Sequence, residues 1–241
     1  MKEPNIVNLF PLSIYINQVE GHEKWKKVFI DDVYDDYQYD RYKRESKEYN
    51  IVSEHCGKPV LHSDERLNGL FKELSDHIKK HCISTLGIRD MFDVCMVKSW
   101  LSRSYDNDEN LPRHVHSATH LSFVYYMQVP PDANQLVFTT HKHQNELFEA
   151  MFDVDGHEEE DTWIDNYTFE SSPHYIIPPE EGMIVVFPSN AAHFTTPTQS
   201  TPQTFQTERL AISGDCILVL KEDEPMVHSK GFINPKHWCV Y

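Results

Sequence analysis

Two histidines separated by one residue are the side chains of this sequence best suited to metal chemistry. His114 and His116 stand in the segment RHVHSATH, directly ahead of the β-forming run LSFVYYMQ. Because alternate residues of a strand point to the same face, a strand here would direct both imidazoles to one metal ion. Imidazole suits iron, zinc, copper and nickel, so the spacing alone does not select the metal.

A third ligand has to come from elsewhere in the chain, because two imidazoles alone hold a metal weakly. The best donor is His193, which follows the apolar segment GMIVVFPSN after a short turn. Carboxylates at Glu146, at Glu149 or after Asp153 are alternatives that no spacing singles out. The chain has fifteen histidines, so a pair two apart also arises by chance, and the strand context is what favours a metal site.

Arg209 is a second candidate, since it opens the otherwise apolar segment RLAISGDCILVL. A buried guanidinium is costly unless it is paired, so this residue needs either a structural acid or an anionic ligand. A carboxylate is its natural bidentate partner. The sequence leaves both alternatives open.

The elements that must position these residues are mainly β. Short segments rich in Val, Ile, Phe and Tyr, separated by Pro, Asn, Asp and Gly, predict strands at 94–101, 121–129, 135–140, 175–177, 183–187 and 209–220. Residues 5–20 are predicted to lead into a further short strand. Many short strands after a helix predict a sandwich or barrel supported by helices on one side.

One helix is predicted from about Ser63 to Leu86. Leu67, Leu70, Phe71, Leu74 and Ile78 recur at three- and four-residue spacing and therefore share one face. Gly87 stands where a helix commonly ends. We expect this helix to pack its apolar face against the sheet.

The length of 241 residues fits one domain. We predict a single domain 1–241, in which residues 1–90 form an N-terminal support, 91–222 the β core and 223–241 a tail. An insertion at 141–173 interrupts the core and carries the acidic run DVDGHEEEDTWID. Such a run reads either as a solvated loop or as a segment that faces substrate or attracts cations.

Composition narrows the classes of function. A formal net charge of -16, from 38 acidic and 22 basic residues, disfavours binding to nucleic acid or to an anionic membrane. Five scattered cysteines without a CxxC pair indicate neither a disulfide framework nor a cysteine zinc site. The N-terminal residues show no signal pattern, so we expect a reducing, cytoplasmic setting.

Four blocks of the sequence together resemble a known family. They are His-Val-His, the following FVYYM, residues 179–193 with Phe-Pro-Ser and a final His, and Glu-Arg-Leu-Ala-Ile-Ser from Glu208. This order resembles the iron- and 2-oxoglutarate-dependent oxygenases, most closely a family with HxH, SGVYYL, FPS-x-x-x-H and RISIS-like blocks. Prolyl hydroxylases are more distantly similar. LFPLSIY at residues 9–15 and Ser99-Trp100 also look like that family.

This resemblance implies a double-stranded β-helix, a jelly-roll or cupin-like core, with Fe(II) at one mouth. His114, His116 and His193 would be the metal ligands. The cofactors would be Fe(II) and 2-oxoglutarate, and decarboxylation of 2-oxoglutarate to succinate would be coupled to hydroxylation of a substrate C–H bond. The substrate, a small molecule or a protein side chain, is not encoded in any readable motif.

The resemblance also assigns residues to 2-oxoglutarate. Arg209 would bind its distal carboxylate, with Ser213 and Tyr126 as hydrogen-bonding partners and Tyr105 as a further candidate for the same pocket. The spacing from His193 to Arg209 is longer than in prolyl hydroxylases, with an insertion rich in Thr, Pro and Gln.

His116 departs from the wider superfamily, which has Asp or Glu at this position. A three-histidine site carries one more positive charge than the two-histidine, one-carboxylate triad. Two alternatives follow: a cupin-like metalloprotein that does not use 2-oxoglutarate, and a barrel that binds ligands without turnover. Arg209 with Ser213 favours the oxygenase over the cupin, which has no need of them.

Overall fold

A computed structural model gives the architecture of the chain. It describes residues 7–37, 60–106, 110–140, 143–149, 151–152, 163–197, 204–222 and 234–239. The helices are α1 His22–Val28 and α2 Asn68–Lys80. The strands are β1 Tyr15–Gln18, β2 Phe92–Asp106, β3 Leu121–Gln128, β4 Gln135–Thr139, β5 His174–Ile177, β6 Met183–Pro188, β7 His193–Thr196 and β8 Thr204–Leu220.

The strands form two antiparallel sheets. The larger has the order β1-β6-β3-β8-β2 and the smaller β5-β4-β7. Side chains of both sheets meet in one apolar cluster, to which Val185 and Phe187 contribute from the larger sheet and Leu136 and Phe138 from the smaller. We call the face of the larger sheet that points into this cluster the inner face. The predicted mainly β fold with a double-stranded β-helix core is confirmed.

The outer face of the larger sheet is covered by the helices. Leu70, Leu74 and Ile78 of α2 are fully buried in a second cluster with Phe123 and Tyr125 of β3. Strand β3 is therefore buried on both faces, which explains why its sequence is continuously apolar instead of alternating. The predicted packing of the helix against the sheet is confirmed.

Helix α2 is shorter than the predicted helix, because the residues at both ends of the predicted segment adopt other helical forms. Two short 3₁₀ turns lie before it, and a π-helical turn, His81–Thr85, follows it. Gly87 has φ of 68°, the left-handed conformation expected after a helix end. No helix was predicted from the sequence at α1, whose Trp25 is buried among the same outer-face residues, as is Phe29 directly after the helix.

The predicted strands are all present, and two are longer than predicted by several residues. Strand β2 continues to Asp106 and pairs with β8, which starts at Thr204. Strand β7 begins at His193, in a segment for which no strand was predicted from the sequence. The acidic run of the insertion lies largely outside the described residues. No helix in the described part of the chain is both long enough and apolar enough to cross a bilayer.

Candidate metal and 2-oxoglutarate site

The three predicted histidines lie together at one end of the two sheets. His114 and His193 form an isolated antiparallel bridge, with the His114 amide donating to the His193 carbonyl at 2.9 Å and the reverse bond at 3.0 Å. The His116 amide donates to the Ser189 carbonyl at 2.8 Å. Strand β3 begins at Leu121, as predicted, so His114 and His116 both precede it. The bridge to His193 and the His116–Ser189 hydrogen bond hold the two residues in place, where the sequence argument had relied on the alternation of a strand.

The imidazole rings converge on one point. The centroid of the His114 ring lies 4.3 Å from that of His193 and 5.3 Å from that of His116, and the His116 and His193 centroids are 5.2 Å apart. One ring nitrogen from each histidine lies within 4.8 Å of the others. This arrangement can hold one metal ion with three nitrogen ligands.

Hydrogen bonds fix which nitrogen each ring presents. The Nδ1 atom of His114 lies 2.7 Å from the Pro112 carbonyl oxygen, and that of His193 lies 2.9 Å from the Ala191 carbonyl oxygen. A carbonyl oxygen only accepts hydrogen bonds, so Nδ1 carries the proton in both rings. Each Nε2 then presents a lone pair, which is the form that binds a metal.

Asp215 accepts the corresponding hydrogen bond from His116. This role of Asp215 was not predicted from the sequence. Its Oδ1 accepts hydrogen bonds from His116 Nδ1 and from Ser122 Oγ, both at 2.7 Å, and the residue is only 2% exposed. Successive side chains of β8 point to opposite faces of the sheet, so Asp215, six residues after Arg209, shares the inner face with it. This even spacing is the signal in the sequence that could have identified Asp215. The described residues that could hold a metal here do not include Glu146 or Glu149.

Apolar and aromatic side chains form the walls around the histidines. The Phe187 ring centroid lies 4.8 Å from that of His193 and the Phe138 centroid 5.9 Å from it, while the Trp100 ring stacks on His116 at 5.7 Å. Burial lowers the pKa of His193 to about 4, since desolvation disfavours the imidazolium. His193 therefore stays neutral near neutral pH, ready to act as a ligand.

Arg209 lies deeper on the inner face and is 6% exposed. Its guanidinium carbon is 5.1 Å from the centroid of the Tyr126 ring. Three polar atoms here are buried without a hydrogen-bond partner among the described residues: Arg209 Nε, Tyr126 Oη and Ser104 Oγ. Ser104 pairs with Arg209 across β2 and β8 and was not identified from the sequence.

The remaining two predicted residues lie in different places. Ser213 is half-buried on the inner face, between Arg209 and Asp215 along β8, and its strand partners are Trp100 and Val124. The Tyr105 ring lies instead 5.7 Å from the guanidinium carbon of Arg103, whose Nη1 donates to Tyr34 among the outer-face residues. The structure thus brings Tyr126 to Arg209 but places Tyr105 beside another arginine.

The fold and these side chains together define a double-stranded β-helix protein in which three histidines could hold a metal ion. Residues 98–215 match the model of the family described as "Putative 2OG-Fe(II) oxygenase". This segment contains all three histidines and Arg209, and the resemblance to these oxygenases found in the sequence is confirmed. Fe(II) and 2-oxoglutarate are the cofactors of this family.

Solved structures of oxygenases are also similar to this chain. HygX from Streptomyces hygroscopicus with nickel and 2-oxoglutarate bound is 9% identical, with 92% of each chain covered and a TM-score of 0.49. A prolyl-4-hydroxylase from Pseudomonas putida is 17% identical over 63% of this chain and 65% of its own, with a TM-score of 0.36. A 2OG-Fe(II) oxygenase family oxidoreductase from Burkholderia pseudomallei is 13% identical, with a TM-score of 0.39.

The chain covers 55% of the Burkholderia structure and 65% of the Pseudomonas structure, and 63% of this chain is covered in each comparison. None of the curated proteins matches the sequence significantly.

Proposed function

We propose that this protein is an Fe(II)- and 2-oxoglutarate-dependent oxygenase that hydroxylates a C–H bond of its substrate. The observation that carries the proposal is the convergence of His114, His116 and His193, each with its Nδ1 proton held by an acceptor. Three oriented Nε2 lone pairs would hold the metal ion, and coordination positions not taken by the protein would be available for co-substrate and oxygen.

The donor set fits iron, since imidazole is a good ligand for Fe(II). Imidazole ligands bring no negative charge of their own, whereas Asp215 places a carboxylate one hydrogen bond away from His116. A carboxylate behind a metal-binding histidine fixes the ring and raises its basicity. Asp215 thereby supplies some of the charge that a ligating carboxylate provides in the wider superfamily.

The Arg209 pocket fits the distal carboxylate of 2-oxoglutarate. Arg209 supplies the positive charge, and Tyr126 and Ser104 supply hydroxyl donors that have no partner among the described residues. Burial raises the pKa of Tyr126, so this hydroxyl keeps its proton and can donate it in a hydrogen bond. An anionic ligand would satisfy all three buried groups, whose desolvation is otherwise uncompensated.

The chain's own contribution is to bind, orient and exclude water. Ser213 lies between the arginine and the metal ligands, where it can hydrogen-bond the co-substrate along its length. Phe138, Phe187 and Trp100 surround the histidines and keep the environment apolar. When bound, iron and 2-oxoglutarate supply the oxidising chemistry, in which 2-oxoglutarate is converted to succinate and carbon dioxide.

Anaerobic addition of Fe(II) and 2-oxoglutarate tests this proposal. We expect a metal-to-ligand absorption band in the green, followed by succinate once oxygen is admitted. His193→Ala should abolish iron retention, whereas Arg209→Ala should retain iron and weaken 2-oxoglutarate binding. Absence of both band and succinate in folded, iron-loaded protein would contradict the proposal, and unchanged co-substrate affinity in Arg209→Ala would show that its role is wrongly assigned.

A further inference from the structure

A second group of metal-binding side chains lies beside the outer face of the larger sheet, away from the three histidines. His22 and Glu23 belong to helix α1, and Glu181 lies in the turn that leads into strand β6. One ligand atom from each of these residues lies within 4.8 Å of the others. We call the three residues the outer triad. Their spacing allows a single ion to contact all three side chains.

The His22 imidazole has the surroundings of a metal ligand. The residue is 9% exposed, and its Nδ1 lies 2.7 Å from the hydroxyl oxygen of Tyr125. Its other ring nitrogen, Nε2, is buried without a hydrogen-bond partner among the described residues. When Nδ1 donates its proton to the Tyr125 hydroxyl, Nε2 presents a lone pair, as in metal-binding histidines. An ion at Nε2 would satisfy an atom whose burial is otherwise uncompensated.

The separation between His22 and Glu181 suits two ligands of one ion better than a hydrogen bond. Nε2 of His22 lies 3.6 Å from Oε1 of Glu181. This exceeds the range of about 2.7–3.2 Å for a hydrogen bond from nitrogen to oxygen. Two atoms that are each about 2.1 Å from a tetrahedral zinc ion lie about 3.4 Å from one another. An ion therefore fits between the two groups without a large movement of either.

The backbone holds these two ligands in place. The His22 amide donates to the Val19 carbonyl at 3.1 Å, and the Val19 amide donates to the Gly182 carbonyl at 2.9 Å. Gly182 has φ of 84°, and a Cβ atom there would lie 3.1 Å from Cγ of His22, so glycine leaves room for the imidazole. Oε2 of Glu181 accepts a hydrogen bond from the Val129 amide at 3.2 Å. Both ligands are thus positioned by the fold before an ion binds.

A cation already interacts with this group of side chains. The Lys26 ammonium forms an ion pair with Oε1 of Glu181, the oxygen atom that faces His22. A metal ion that binds the same oxygen has to displace the ammonium. Partly exposed ion pairs contribute little to stability, so the displacement costs little. Lys26 is therefore a competitor of the ion and not a barrier to it.

We propose that the outer triad is a second metal site, which takes a divalent transition-metal ion such as zinc. One imidazole and two carboxylates match the nitrogen and oxygen ligands that zinc accepts, with a fourth position left for water. The two carboxylates balance the charge of the ion. The ion joins α1 to the turn before β6 and thereby stabilises the packing of the helix on the sheet. The proposal does not depend on the proposed oxygenase function.

Zinc binding to a variant without the first site tests this proposal. In His114→Ala with His193→Ala, isothermal titration calorimetry should find one Zn²⁺ per chain, and zinc should raise the midpoint of thermal unfolding. Adding Glu23→Gln should raise the Kd for zinc about ten-fold or more and reduce the shift of the midpoint. Glu23→Gln in the otherwise unchanged chain should weaken one zinc site by the same factor, so the test does not depend on the folding of the double variant.

Glu20→Gln is the matched control for Glu23→Gln. It removes the same charge from an exposed glutamate outside the outer triad, and the Kd should stay close to that of the background. Lys26→Leu should change the affinity in the opposite direction and lower the Kd, because it removes the competing ammonium without adding a ligand atom. Absence of zinc binding in the folded double variant would overturn the proposal. Equal losses of affinity in Glu20→Gln and Glu23→Gln, or an unchanged Kd in Lys26→Leu, would overturn it too.

Discussion

At the scale of single residues, the proposed metal site is organised by hydrogen bonds that the sequence does not reveal. His114 and His193 each donate from Nδ1 to a backbone carbonyl two residues away, while His116 donates to a carboxylate from a distant strand. These three acceptors leave each Nε2 with a lone pair before any metal arrives. The cost of orienting the ligands is therefore met during folding and not during metal binding.

Asp215→Asn tests whether the negative charge of the Asp215 carboxylate contributes to metal binding. The amide oxygen can still accept the His116 hydrogen bond, but the negative charge is gone. We expect Fe(II) affinity to fall by about 10- to 100-fold, as is typical when the partner of a metal-binding histidine is altered. Titration of the protein with Fe(II) under anaerobic conditions measures this.

Ser122→Ala is the matched control for Asp215→Asn. It removes the second hydrogen bond to the carboxylate but retains the charge and the bond to His116. The fall in Fe(II) affinity should therefore be smaller than for Asp215→Asn. Wild-type affinity in Asp215→Asn would show that the carboxylate does not act on the metal.

At the scale of elements, strand β8 carries most of the proposed chemistry. Its inner-face residues alternate from Arg209 through Ala211 and Ser213 to Asp215, so one strand runs from the proposed co-substrate anchor to the support of a proposed metal ligand. The outer-face residues between them, including Leu210 and Ile212, are buried under the helices. Any shift of this strand would therefore move both ends of the site.

Gly214 is a position in β8 that leaves no room for a side chain. A Cβ atom here would lie 2.6 Å from two ring atoms of Phe123 and 2.9 Å from the backbone oxygen of Lys98. We expect Gly214→Ala to lower the free energy of unfolding by about 1–3 kcal/mol, because overpacking forces neighbouring groups to shift. Chemical denaturation measures the change.

Combining Gly214→Ala with Phe123→Leu gives the corresponding control. If the ring is the obstacle, the double variant should lose less stability than the sum of the two single variants. Strict additivity would place the strain at the Lys98 carbonyl instead, and an unchanged stability in Gly214→Ala would contradict the predicted overpacking.

The elements were predictable from the sequence where hydrophobic pattern alone determines them. Strand β3 and helix α2 follow from apolar runs and from spacing, since both are held by burial. The pattern did not reveal α1 or the π-helical turn Phe29–Val33 that follows it, in which the buried Trp25 and Phe29 are set among lysines and acids. It also did not reveal the β-bridge between His114 and His193, because this bridge depends on a contact between distant segments that no local pattern encodes.

At the scale of the whole molecule, the two faces of the larger sheet have different roles, one in stabilising the fold and the other in the proposed chemistry. The inner face holds the proposed metal and co-substrate residues, while the outer face packs against the helices and holds most of the buried apolar side chains. Histidines on the outer side therefore affect folding without contacting the site. Burial lowers the pKa of His62, His77 and His81 there.

His81 is fully buried, and neither of its ring nitrogens has a hydrogen-bond partner among the described residues. Its pKa lies below the ordinary value of 6.5 because burial disfavours the imidazolium. Below about pH 6.5 the unfolded chain binds a proton that the folded protein does not bind, so the free energy of unfolding must fall as the pH falls. This contribution approaches about 1.4 kcal/mol per pH unit where only the unfolded state is protonated.

Replacing His81 with Phe removes this titration and also the two unsatisfied nitrogens. We expect His81→Phe to match or exceed the wild type in stability at pH 8 and to gain on it progressively below pH 6.5, in denaturant unfolding followed by circular dichroism. The measurement at pH 8 isolates the packing difference, because the imidazole is neutral in both states there. Contributions from the other histidines and from a bound metal are common to both proteins, so parallel pH profiles would contradict the assigned role of His81.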